Sequence, residues 1–183
     1  MARNKPRLLL ALYARPKNPN SSHYALFIMP KHAADKQRRG LSATKLHALN
    51  ALQVVKGEAV QPWRFERTST ADLNDERRLL ACVVVAKITD ETAVARTLEA
   101  VPLYQDDNPD QAKAQSFDCV AWVREAIGRL KGSKAIASLP SFDTVQHEAL
   151  GYLARKRHQS RWSEPYEYGV PIFDLVQGSE IIR

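Results

Sequence analysis

The residues that stand out for chemistry are one cysteine and two histidines. Cys119 lies in Ser116-Phe117-Asp118-Cys119-Val120-Ala121-Trp122-Val123. Cys119, Trp122, Val123, Ala126, Ile127 and Leu130 recur at helical spacing, which predicts an amphipathic helix opening near the cysteine, with Ser116 as its cap. Free N–H groups and the positive end of a helix dipole favour a thiolate in a first turn, and the thiolate is the nucleophilic form. Asp118 opposes that ionisation by like-charge repulsion. His23 opens the apolar run Ser22-His23-Tyr24-Ala25-Leu26-Phe27-Ile28, and His47 lies in Lys45-Leu46-His47-Ala48-Leu49. Period-two alternation puts His23, Ala25 and Phe27 on one strand face and Tyr24, Leu26 and Ile28 on the other. Neighbouring strands then present two imidazoles side by side, one to deprotonate the thiol and one to orient its partner, in either order. The backbone N–H of Cys119 plus one further donor, Tyr13 or Gln115, would meet a developing oxyanion. The competing reading of Cys119 is a thiol that only packs on an apolar helix face. Cys82, in the apolar run Leu79 to Val85, reads as a core thiol; His32, His147 and His158 read as surface residues. No short His/Cys/carboxylate spacing calls for a metal, and no cofactor is expected.

An early-strand histidine, a second strand histidine and a helix-opening cysteine follow the order seen in lecithin:retinol acyltransferase-like thiol enzymes, which are circularly permuted relatives of papain-like endopeptidases. His23-Tyr24-Ala25-Leu26-Phe27-Ile28 resembles that family's histidine strand, Leu46-His47-Ala48 its second, and Asp118-Cys119-Val120-Ala121-Trp122-Val123 its nucleophile helix. The resemblance implies a permuted papain-like fold, Cys119 as nucleophile, His23 as base and His47 as orienting residue. The chain departs from that family in the long interval between the histidines and in Asp118, where the acyltransferases carry asparagine. Over most of its length the chain is also similar to small fungal proteins that share the Tyr13-Ala14-Arg15 start, the His23-Tyr24-Ala25-Leu26 strand and the Cys119-Val120-Ala121-Trp122-Val123 helix. That group is linked to arginine-containing cyclodipeptide synthases, which draw activated amino acids from aminoacyl-tRNA. By this resemblance an aminoacyl-tRNA is the donor, and acidic residues such as Asp106, Asp107, Asp118 and Glu125 would hold a guanidinium.

The elements that must position these residues follow from patterning. Strands are expected over Arg7–Ala14, His23–Met29, Lys45–Val55 (where Leu46, Leu49, Ala51 and Leu52 also fit a short helix), Trp63–Thr68 and Leu79–Ile88, the last as the central strand. Residues 31–44 form a basic exposed loop, and Lys56-Gly57 a turn. A helix capped by Thr89 or Asp90 carries Val94 and Leu98; residues 103–115 form a polar acidic loop. A last helix over residues 142–159 uses Val145, Leu150 and Leu153 as apolar positions. Residues 161–183 form an irregular arm with a short strand at 172–176. The expected class is α+β, one domain over 1–183, with an antiparallel sheet (mainly 1–88) packed by helices (mainly 89–160).

Composition bounds the rest. The 183 residues are 44% hydrophobic, enough for a core, and the longest apolar runs are strand-sized, so no membrane partner is expected and a cytoplasmic location is. Two cysteines make no disulfide framework. The net charge of +7 admits an anionic partner. Candidate phosphate-binding residues are Lys31, Lys36, Arg38, Arg39 and Lys45 in the first loop region and Arg155, Lys156, Arg157 and Arg161 late in the chain. Three functions are consistent with the residues: cysteine acyl transfer to a small-molecule or peptide acceptor, hydrolysis by the same site, and a non-enzymatic RNA-binding module.

Overall fold

A computed structural model describes residues 5–30, 40–159, 161–162 and 169–182. The expected basic loop residues Lys31, His32, Lys36, Arg38 and Arg39 lie outside the described residues. The strands are β1 (Arg7–Ala14), β2 (Ser22–Met29), β3 (Ala43–Asn50), β4 (Gln53–Val55), β5 (Glu58–Val60), β6 (Trp63–Thr70), β7 (Leu79–Lys87), β8 (Ile172–Asp174) and β9 (Ser179–Ile182). The helices are α1 (Glu91–Glu99), α2 (Gln111–Ser116), α3 (Cys119–Leu130) and α4 (Phe142–His158). Seven strands form one sheet in the order β6-β3-β2-β1-β7-β8-β9, and β4 and β5 make a separate hairpin turning at Lys56-Gly57. Neighbours are antiparallel except β7 and β8, which run parallel. The class is α+β with a mostly antiparallel sheet, as the strand-then-helix order implies.

β1, not β7, is the middle strand, flanked by β2 and β7. Its residues Leu8 to Leu12 are all buried because both sheet faces are covered. Leu8, Leu10 and Leu12 pack with Val94, Trp122, Val123 and Val145 under the helices. Leu9, Ala11 and Tyr13 face a smaller cluster with Phe27, Leu73 and Ile172. A strand covered on both sides needs no polar alternation, which explains the unbroken apolar run.

Three further expectations are corrected. The 103–115 segment is not all loop: Asp110 caps α2 by accepting from the Lys113 N–H. The C-terminal segment carries more than the one expected strand: that strand is present as β8, an unexpected β9 follows, and both extend the sheet, with Cys82 paired to Ile172 and the Cys82 N–H donating to the Pro171 carbonyl at 3.0 Å. Leu150 is 43% exposed, while Ala149 and Tyr152 turn inward on α4.

The sheet opens where the chemistry lies. β2 and β3 pair only at Leu26–Leu46, Phe27–Lys45 and Ile28–Thr44. Beyond Leu26 the two strands diverge, although β2 begins at Ser22 and β3 runs on to Asn50. His23 and His47 both occupy this splayed end.

Candidate active site

Strand alternation fixes the face of each histidine. Tyr24, Leu26, Leu46 and Ala48 join the helix-side core, whereas Tyr13, Ala25, Phe27 and Ala43 join the opposite cluster. His23 and His47 therefore project from the face away from the helices. Their rings meet across the splay: His23 Nε2 and His47 Nδ1 share a hydrogen bond of 2.8 Å, with ring centroids 5.1 Å apart. The expected side-by-side imidazoles are therefore present.

Cys119 approaches from the helix side. Its helix is capped by Asp118, whose Oδ1 accepts from the Ala121 N–H at 2.7 Å. Ser116 is not the cap; it closes α2, where its hydroxyl donates to the Ala112 carbonyl at 2.7 Å. Phe117, between the two helices, is wedged edge-on between Trp63 and Tyr104, with centroids 5.2 and 5.6 Å away. Gln105 fixes Trp63 in turn: it accepts from the Trp63 N–H at 2.8 Å and donates to its carbonyl at 2.7 Å. These contacts pin the head of α3 against the start of β6.

Cys119, His23 and His47 line one cavity of about 830 Å³ with Tyr13, Lys45 and Trp63. The structure brings together the three residues singled out from the sequence. It does so from opposite sides of the sheet, meeting at the gap between β2 and β3. Among the described residues no hydrogen bond joins the sulfur to either imidazole.

The electrostatics differ from expectation at the sulfur. Cys119 is 2% exposed, and burial pushes its thiol pKa above the ordinary value. Hydrogen bonding from the Tyr24 backbone acts against this, Asp118 adds to it, and the Arg15 charge acts against it. The helix start therefore does not yield a preformed thiolate, because desolvation of the anion outweighs the local dipole. His23 is lowered from 6.5 to about 4, chiefly by burial, then by His47, Arg15 and Lys45. His47 is also lowered, by burial first and Lys45 second, with Glu66 pulling it back up. Both rings are neutral at pH 7. Glu66 Oε2 lies 3.5 Å from His47 Nε2, an electrostatic neighbour rather than a hydrogen-bond partner. Glu66 is itself held by Arg64 at 2.6 Å.

Tyr13 lines the cavity, but its hydroxyl donates to Glu76 Oε2 at 2.8 Å and its pKa is driven up by burial and by that carboxylate. It is committed to Glu76 rather than free as an oxyanion donor. Lys45 is likewise part of the site and not of an outward phosphate-binding face: its Nζ lies 2.8 Å from the same Glu76 oxygen. Gln115 is exposed on α2 and is not among the cavity's lining residues. Glu125 is also outside it, paired with Arg129 at 2.8 Å. Asp118 lines a neighbouring cavity of about 400 Å³ with Tyr24 and Arg157. Sequence reasoning missed Glu66 and Glu76, whose roles depend on strand pairing and on a long-range approach across 63 residues.

The late basic run is only partly a surface. Lys156 is buried and ion-paired with Glu180 at 2.7 Å, which corrects its assignment to phosphate binding. Arg155 lies over the Tyr152 and Phe173 rings, and Arg161 donates to the Gly169 carbonyl at 2.6 Å. Arg157 is exposed, with a 3.5 Å contact to the Pro19 carbonyl. Among the described residues no helix is long and apolar enough to cross a membrane.

No curated protein and no solved structure matches the chain. One family model, described as a family of unknown function (DUF6914), matches residues 5–182, and the chain belongs to that family.

Proposed function

We propose that this protein is a cysteine-dependent acyl transferase with a permuted papain-like arrangement of Cys119, His23 and His47. The observation that carries the reading is the shared cavity: a hydrogen-bonded imidazole pair and a helix-opening thiol line the same space. The protonation states fit a general-base mechanism rather than a thiolate–imidazolium pair, since both the thiol and the imidazoles are neutral at pH 7. Glu66 favours a proton on His47 Nε2, leaving Nδ1 to accept from His23 Nε2–H. The free lone pair is then on His23 Nδ1, which makes His23 the base and His47 the orienting residue.

In the first step His23 takes the Cys119 proton as sulfur attacks the acyl carbon. The C–S bond forms, the bond to the leaving oxygen breaks, and the imidazolium returns its proton to that oxygen. In the second step an amine attacks the thioester. Its proton passes through His23 to the departing sulfur, giving an amide and the free thiol. The specific donor proposed is an aminoacyl-tRNA, which is found in the cytoplasm, and the attacking amine is that of a second aminoacyl-tRNA. The terminal α-amine of the resulting dipeptidyl-tRNA then attacks its own ester carbon and passes its proton to the departing tRNA oxygen, closing an arginine-containing cyclic dipeptide. Of the two carboxylates lining the cavity, Glu76 is engaged by Lys45 and Tyr13, and Asp75 is left for an acceptor's amine or guanidinium.

The test is intact-mass analysis after acid quench of protein incubated with arginyl-tRNA. An added arginyl mass on Cys119, lost in Cys119→Ala together with diketopiperazine formation, is expected. Product formation that survives Cys119→Ala overturns the thioester route. Release of free amino acid alone means hydrolysis and replaces transfer by the amidase reading. RNA binding with neither adduct nor product leaves a non-enzymatic module.

A further inference from the structure

The mouth of the cavity carries a charge arrangement that the thiol chemistry does not use. Arg15 and Lys17 reach it from the turn after β1, and Arg77 and Arg78 from the segment before β7. All four are exposed, and among the described residues none of them has a carboxylate partner. Among the described residues lining the cavity, Asp75 is the one carboxylate without an ion pair, because Glu76 is neutralised by Lys45. Elsewhere among the described residues Arg64, Lys113, Arg124, Arg129 and Lys156 are ion-paired, while others such as Arg67, Arg96, Lys131 and Arg157 are not but do not line this cavity. Four exposed cations without a carboxylate partner among the described residues thus meet at the cavity that holds Cys119 and both imidazoles, with Asp75 as the one carboxylate there that no ion pair engages.

Arg78 adds an independent sign. Its φ is +67°, in the left-handed region that favours glycine. Its carbonyl accepts from the Ala14 N–H at 2.8 Å, which ties the two cationic segments together. A long cationic side chain at a strained backbone position beside a cavity points to a role for that side chain. Arg15 is close enough to the reaction centre for its charge to be felt by both Cys119 and His23.

We propose that Arg15, Lys17, Arg77 and Arg78 form a phosphate-binding collar that seats the phosphate-bearing carrier of the acyl donor over Cys119. The proposal rests on the acyl-transfer reading for what the carrier delivers, but not for the binding itself. It places phosphate recognition at the cavity mouth rather than on the helix α4 basic run. Two carriers share this chemistry, the 3′ end of an RNA and a coenzyme A moiety, and the experiment separates them.

The probes are a fluorescent single-stranded RNA oligonucleotide ending in CCA and a fluorescent coenzyme A, titrated by anisotropy at several salt concentrations. Wild-type protein is expected to bind at least one, with affinity falling as salt rises. Replacing all four cations by glutamine should weaken that binding at least ~10-fold and flatten the salt dependence, since each lost phosphate contact removes close to one counterion from the slope. Arg78→Gly is the decisive single variant. It removes the charge and relieves the strained backbone, so binding should weaken while thermal stability stays the same or rises. Binding of RNA alone identifies a nucleic-acid carrier, and binding of coenzyme A alone identifies the small one. If neither probe binds, or the fourfold variant binds as wild type, or Arg155→Gln with Arg157→Gln weakens binding equally, the collar is refuted. Acylation of wild-type Cys119 by a small uncharged thioester is read separately. Phosphate binding without that adduct keeps the collar and removes the thiol reading, and the adduct without a binding defect in the fourfold variant does the reverse.

Discussion

The His23–His47 pair should make the protein's stability fall on mild acidification, and the size of the fall follows from the site. His23 is held neutral in the fold, with its pKa lowered from 6.5 to about 4 by burial, the second ring and nearby cations. Between these two values the unfolded chain binds a proton that the folded chain does not. Stability is therefore fully present above about pH 6.5 and is lost as pH falls toward 4. The full shift corresponds to about 3 kcal/mol, and water reaching the ring through the cavity screens part of it, leaving about 2 kcal/mol between pH 7 and 4.5. His47 acts in the same direction. The assay is urea unfolding followed by tryptophan fluorescence, for which the buried Trp122 is a suitable reporter. Wild type should lose about 2 kcal/mol more than His23→Gln over that pH interval. NMR titration of the His23 ring in the folded protein should place its midpoint well below 6. Equal losses in the two proteins, or a native midpoint near 6.5, would refute the desolvated neutral ring and with it the case for His23 as a base ready at neutral pH.

Two other outcomes follow from the same contacts. Glu180→Gln leaves the buried Lys156 ammonium uncompensated and should lower stability by about 3 kcal/mol, whereas Lys156→Met, which removes the charge and keeps the apolar stem, should stay close to wild type; urea midpoints compare them. Asp118→Ala removes the α3 cap and should cost about 1 kcal/mol, yet it also removes a negative charge that holds the Cys119 thiol protonated, so iodoacetamide alkylation of Cys119 should begin at lower pH than in wild type.

The parts of the molecule legible in the sequence are those whose signals are local. β1, β2 and α3 announce themselves by unbroken apolar runs or helical spacing, and their core positions are buried where the pattern puts them. The pairing of His23 with His47 was legible because strand alternation alone sets which face each ring takes. The C-terminal strands were not legible as sheet members: β8 has three residues, and its place depends on pairing with β7, about ninety positions earlier in the chain. The six-residue α2 buries only Ala114, too little to leave a periodic trace. The cap of α3 was misplaced by two residues because Ser116 and Asp118 are both good caps, and only the break at Phe117 decides between them. Glu66 and Glu76 reach the site through tertiary approach, which no spacing in the sequence records. The acidity of Cys119 was misread for a related reason: dipole effects can be inferred from position on a helix, but the depth of burial that overrides them cannot.

The parallel seam between β7 and β8 has a consequence for synthesis. Until Ile172 to Ile182 leaves the ribosome, β7 has an open edge, and Cys82, Val83 and Val84 present unmatched amide groups to whatever strand is near. A nascent chain halted before that point would expose a sticky flank and an oxidisable thiol now sealed in the interior. Residues 172–182 thus act as a fastening, and the β7 edge is shielded from self-association only once β8 and β9 have been made.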